Sequence, residues 1–93
     1  MDDIIRVLIL KDGRILVTKI EEVAAAEIGE PDCVMIDPVV YDDTVEALEK
    51  SMKRFPGTRV TNDKRMAILS DNILTMVAPH PKLLSEYLVV ISD

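Results

Sequence analysis

Ninety-three residues are enough for one domain and too few for two independent cores. The chain is 48% hydrophobic but holds one Phe, two Tyr and no Trp, so its core must be Ile, Leu, Val and Met, and an aromatic platform for stacking bases is excluded. A formal net charge of -6 argues against a generally basic nucleic-acid-binding surface and leaves room only for a local patch.

The first predicted element is a hairpin over Ile4 to Val23, IIRVLILKDGRILVTKIEEV. Two β-prone runs flank Lys11-Asp12-Gly13-Arg14, and Asp-Gly in that setting predicts a two-residue primed turn. Gly13 accepts positive φ without a Cβ clash, and Asp12 tolerates it better than most residues. Neither arm alternates cleanly between apolar and polar residues. Near-continuous apolar runs predict strands buried on both faces or meeting a second chain.

After Val23 the alanines Ala24 to Ala26 lead into a turn punctuated by Gly29 and Pro31. Cys33 to Ile36 reads as a strand. Asp37-Pro38 interrupts it as an edge, bulge or bend, because proline cannot donate to a ladder, and Val39 to Tyr41 continues it. From Asp42 to Phe55 the spacing of Val45, Leu48, Met52 and Phe55 predicts a short amphipathic helix, with Asp43 and Glu46 at its start and Pro56-Gly57 as its stop. The rival over this stretch is an extended strand pair. Arg65 to Leu69 and Asn72 to Val77 read as strands around Ser70-Asp71. Pro79 and Pro81 end them, Lys82 to Glu86 reads as one helical turn, and Tyr87 to Ile91 as a terminal strand.

No catalytic or metal set converges. His80 and Cys33 are the lone members of their kinds, without ligand or triad spacing, and read as a loop residue and a small buried hydrophobe. The acidic pairs Asp2-Asp3, Glu21-Glu22 and Asp42-Asp43 read as solubilising and capping charge, since no phosphate-cradling glycine loop accompanies them. The basic residues between Lys50 and Arg65, notably Arg59, Lys64 and Arg65, form a local concentration that suits an anionic partner such as RNA, and equally a solvated face balanced by Glu46, Glu49 and Asp63.

The apolar strand, Lys11-Asp12-Gly13-Arg14 and second long strand resemble the first motif of the Sm-like (LSm and Hfq) proteins. Lys64 to Val77, an apolar strand running through Ser70-Asp71-Asn72 into a last apolar strand, resembles the second motif. The resemblance covers a third to a half of the chain, in the right order. It implies a mainly β fold: a small Sm-like (SH3-like), strongly bent five-stranded barrel over residues 1–93, with 42–58 as an inserted short helix or extended loop and 82–93 as an extension carrying an extra C-terminal strand.

The resemblance also implies a non-enzymatic protein, without cofactor, metal or catalytic residue, that closes into a homo-oligomeric ring by pairing the fourth strand of one subunit with the fifth of the next. The implied partner is RNA, with Asp71 and Asn72 on the pore side by position. The chain departs from the family pattern at both pocket motifs. Glu30-Pro31-Asp32-Cys33-Val34-Met35 lacks the usual Asn, and the second motif lacks its Arg-Gly and carries Asp71 instead. A structural or protein-interaction oligomer on the same fold, without RNA binding, is therefore the alternative. No apolar run reaches the about 20 residues of a membrane span. Met1-Asp2-Asp3 offers no basic leader, and the single cysteine permits no intrachain disulfide, so a cytoplasmic setting is expected.

Overall fold

Hydrogen bonding between apolar runs of similar length builds an antiparallel sheet, described in a computed structural model over residues 4–22, 32–57 and 59–92. Strands β1 (Ile4–Leu10) and β2 (Ile15–Glu22) form the expected hairpin, with Leu8 opposite Leu16 and Ile9 opposite Ile15. The turn itself differs from the two-residue expectation. Gly13 N–H donates to the Leu10 carbonyl at 2.9 Å, Leu10 N–H donates to Arg14 at 2.9 Å, and of the turn residues only Gly13 has positive φ, at 94°. That is a three-residue loop, in which a simple turn is followed by a left-handed glycine. Asp12 does not need the left-handed conformation. Its carboxylate instead accepts from Arg14 N–H at 3.0 Å and Arg14 Nε at 2.7 Å. The expected turn at Gly29 and Pro31 lies outside the described residues.

Strand β3 (Cys33–Tyr41) runs through Asp37-Pro38 with a bulge: Val17 faces Val39 but Lys19 faces Ile36, so Thr18 stands opposite two residues. Asp37 has φ of 53°, in the left-handed region. The bulge reverses which face the alternate residues occupy. Cys33 and Met35 lie on one face before it, and Val39 joins the other face after it.

The region from Asp42 to Phe55 corrects the helix expectation. It forms a 3₁₀ turn at Leu48–Lys50 and then β4 (Met52–Arg54), which pairs with β3 through Tyr41–Met52 and Val39–Arg54. Met52 and Phe55 pack in clusters on opposite faces of the sheet, which one helical stripe could not achieve. β5 (Arg65–Ile68) then pairs with the other half of β3, Ile36 facing Arg65 and Cys33 facing Ile68. β4 and β5 are thus two pieces of one broken edge strand. Phe55 N–H still donates to the Pro38 carbonyl at 3.0 Å, and Asp37 N–H to the Lys64 carbonyl at 2.8 Å. The chain leaves the ladder after Phe55 and rejoins it at Lys64, at the place where Pro38 has no N–H to offer.

A 3₁₀ turn at Ser70–Asn72 leads into β6 (Ile73–Val77), which returns to pair with β1, Val7 facing Val77. The sheet path is β4-β3-β2-β1-β6, with β5 also on β3. The path is open: β6 forms one end and β4 with β5 the other. Instead of the expected terminal strand, an α-helix, α1 (Pro81–Ile91), follows. Val89, Val90 and Ile91 favour a strand locally, but Leu83, Tyr87, Val90 and Ile91 recur at helical spacing and pack on Val7, Val17, Val39 and Met52. Pro81 occupies the first turn, and His80 Nδ1 accepts from Lys82 N–H at 3.2 Å, so the expected loop histidine is the helix N-cap. The helix covers one face of the sheet. The opposite face gathers Leu8, Leu10, Leu16, Ile20, Cys33 and Met35, with Phe55, Met66, Ile68 and Ile73 against them. β1, β2 and β3 place buried residues on both faces, as their apolar runs require, whereas β6 stays largely exposed.

Candidate functional site

Five residues carry the expected contacts, and β5 separates them into two groups. Asp71 and Asn72 sit exposed in the 3₁₀ turn after its end. Lys64 and Arg65 sit exposed at its start, and Arg59 in the segment before it. Three strand residues, Met66 to Ile68, at roughly 3.3 Å each, followed by Leu69 and Ser70, stand between the groups. Arg65 is engaged with Glu21 at 3.3 Å across an exposed surface.

The turn that holds Asp71 and Asn72 is anchored from two sides. The Asp32 carboxylate accepts from Ser70 N–H at 2.8 Å and Ser70 Oγ at 2.6 Å. These bonds hold the Asp32 carboxyl below the ordinary carboxylate value, the Ser70 hydroxyl contributing most. On the other side Lys11 N–H donates to the Asn72 carbonyl at 3.0 Å. The stretches before β3, before β6 and in the hairpin loop, distant in sequence, therefore meet at one end of the sheet. Asp32 supplied no signal in the sequence beyond its place before a strand.

At the bulge, four further residues converge to which the sequence assigned no functional role: Asp37, Arg54, Lys19 and Tyr87. The Asp37 carboxylate lies 3.4 Å from Arg54 Nη1 and 3.9 Å from Lys19 Nζ. Arg54 Nη2 donates to the Ile91 carbonyl at the end of α1, at 3.0 Å. Tyr87, fully buried, donates its hydroxyl to the Asp37 carbonyl. This arrangement fastens the helix to the sheet and leaves little unsatisfied charge for chemistry. Elsewhere Asp42 serves its own turn, accepting from Thr44 Oγ1 at 2.6 Å and Thr44 N–H at 2.9 Å. Among the described residues no group of three His, Cys, Asp or Glu could hold a metal ion.

The most exposed apolar strand surface is β6. Leu74, Met76 and Val77 are 67%, 41% and 45% exposed, and among the described residues β6 pairs with β1 alone. A register shift between Ile9 and Leu10 places Leu74 in a bulge of this edge. Among the described residues β5 likewise pairs only with β3. Two strand edges are thus available at the two ends of the sheet.

These features define a small, mainly β protein: an open antiparallel sheet, one face covered by a C-terminal helix, with apolar residues exposed along its last strand. The chain belongs to DUF6561, a family of unknown function, which it matches over residues 3–92. No curated protein matches it. Among the described residues no helix is long and apolar enough to cross a membrane.

Proposed function

We propose that this chain is a non-enzymatic, Sm-like subunit that assembles with copies of itself into a ring, the open edge of β5 in one copy pairing with β6 of the next. The observation that carries this reading is the exposed apolar edge of β6, lying in a sheet whose opposite end offers a second unpaired edge. An isolated chain leaves Leu74, Met76 and Val77 in water, and unpaired apolar edges favour strand addition. Two further features support the Sm-like comparison. The last strand returns to the first, and the two motif-like segments meet through Lys11 and Asn72. A cytoplasmic scaffold is the role in which this reading ends.

RNA is the second element of the proposal, favoured by the exposure of Arg59, Lys64 and Arg65 on one flank of β5. Asp71 disfavours phosphate at the other end, and the net charge of -6 requires any such contact to be local.

Light scattering behind a sizing column tests assembly first. A discrete oligomer of several copies is expected, and a monomer at every concentration overturns the ring. An RNA titration at two salt concentrations, repeated with Arg59, Lys64 and Arg65 changed to Gln, tests the patch. Loss of salt-sensitive binding with assembly intact is expected, and unchanged affinity removes these residues from the RNA reading.

A further inference from the structure

Where the hairpin loop, β5 and the Ser70–Asn72 turn meet, the helix-free face of the sheet opens into a pocket of about 520 Å³. That volume falls within the range of small-molecule sites, roughly 300–1,000 Å³. Its apolar lining is Leu10, Leu16, Met35, Phe55, Met66 and Ile68. Leu10, Leu16 and Met35 are themselves buried core residues, so the floor is fixed by packing.

The rim is polar and asymmetric in charge. Lys11, Asp12, Arg14 and Asn72 line it. Arg14 lies over the Phe55 ring, 5.3 Å from its centre, and its guanidinium Nε holds the Asp12 carboxylate at 2.7 Å. Arg14 and Asp12 thereby offset one another, and among the described lining residues Lys11 carries the remaining charge. A cation at the mouth of an apolar pocket, on a chain of net charge -6, selects a ligand with an apolar body and one anionic end.

We propose that this pocket binds a medium-chain aliphatic carboxylate, with the chain against Met35, Met66 and Phe55 and the carboxylate at Lys11. The pocket lies away from the exposed β6 side chains but is bordered by Met66, Ala67 and Ile68 of β5, the strand whose edge the ring would use, so binding is read on the chain in whatever assembly it adopts. Its recognition is one ion pair at an exposed rim plus apolar burial, so binding is modest and chain-length dependent.

The methionines give a direct test. Of the five in the chain, Met35 and Met66 line the pocket, Met52 packs under the helix, and Met76 lies on the exposed edge. Decanoate, kept below its micellar concentration, is titrated into the full chain carrying ¹³C-methyl methionine. Saturable shifts of the Met35 and Met66 methyls, with Met52 and Met76 unmoved, are expected. Lys11→Gln should weaken decanoate about two- to fivefold while leaving decanol unchanged, the size of one exposed ion pair. Shifts confined to Met76 would place the ligand on the strand edge and overturn the proposal. So would non-saturating shifts of all the methyls, no shift at all, or equal loss of decanoate and decanol in the Lys11 variant.

Discussion

Tyr87 donates its hydroxyl to the backbone carbonyl of Asp37 at 2.8 Å, joining the fully buried side chain of α1 to a residue with left-handed backbone in the middle of β3. Replacing Tyr87 with Phe keeps the ring in the helix-covered core and leaves the carbonyl without this donor. A loss of about 1–2 kcal/mol is expected in urea unfolding with an unchanged slope. Val89→Ala, on the exposed side of the same helix, should stay within about 0.5 kcal/mol.

Asp37 itself separates backbone from charge. Asn tolerates positive φ as Asp does, so Asp37→Asn removes only the ion pairs to Arg54 and Lys19 and should cost no more than about 1 kcal/mol. Asp37→Val should cost about 1–2 kcal/mol beyond that, because a β-branched side chain clashes at a φ of 53°. Equal losses for the two variants, by chemical denaturation, would remove backbone conformation as the reason for an Asp there.

Gly13 makes the same argument without side-chain crowding. A Cβ at this position would meet nothing within 4 Å, yet φ is 94°. Gly13→Ala should therefore destabilise by about 1–2 kcal/mol through the backbone alone. Thermal unfolding would register it as a lowered Tm with the fold otherwise unaltered.

Acid sensitivity follows from Asp32, Asp12 and Asp42, each held below the ordinary carboxylate value of 3.8. The chief causes are the hydroxyl of Ser70, the backbone N–H of Arg14 and the hydroxyl of Thr44 respectively. A carboxyl whose value is depressed on folding binds protons more readily when unfolded. Its stabilisation is complete above 3.8 and fades as pH falls through the lower folded value. Ser70→Ala should return Asp32 toward its ordinary value. The stability gap between the wild type and this variant should be constant above about pH 5 and narrow below 3.8. Urea midpoints measured across that range would show a gap independent of pH if Asp32 played no part.

The proposed edge pairing makes a solution prediction of its own. Leu74→Lys with Met76→Lys places two ammonium groups on the exposed strand without touching the buried core. A shift of native mass toward monomer, with circular dichroism unchanged, is the expected result.

Local chemistry made part of this fold readable. The hairpin followed from Asp12-Gly13, though not its three-residue loop, and of the edge, bulge or bend that Asp37-Pro38 allows the structure takes the bulge. The unalternating runs of β1 and β2 allowed burial on both faces or contact with a second chain, and both strands place buried residues on both faces. Two elements were misread because local and tertiary preferences disagreed. Leu48, Met52 and Phe55 fit a helical stripe, but the free edge of β3 takes Met52–Arg54 as a strand. Val89, Val90 and Ile91 favour a strand, but one face of the sheet required a cover, and Tyr87 with Leu83 supplied it in helical register. The site residues were less legible. Asp32, Arg54 and Tyr87 act through partners 37 to 50 positions away, at separations that no sequence spacing encodes.

The break in the edge strand also bears on how this chain can change length. Phe55 and Lys64 bond to adjacent residues of β3, Pro38 and Asp37, so the described residues between them take no part in the ladder on either side. A segment bounded in this way can lengthen, shorten or be exchanged while both flanking registers stay fixed. If it were removed and its ends joined, β4 and β5 would become one uninterrupted strand along the whole of β3.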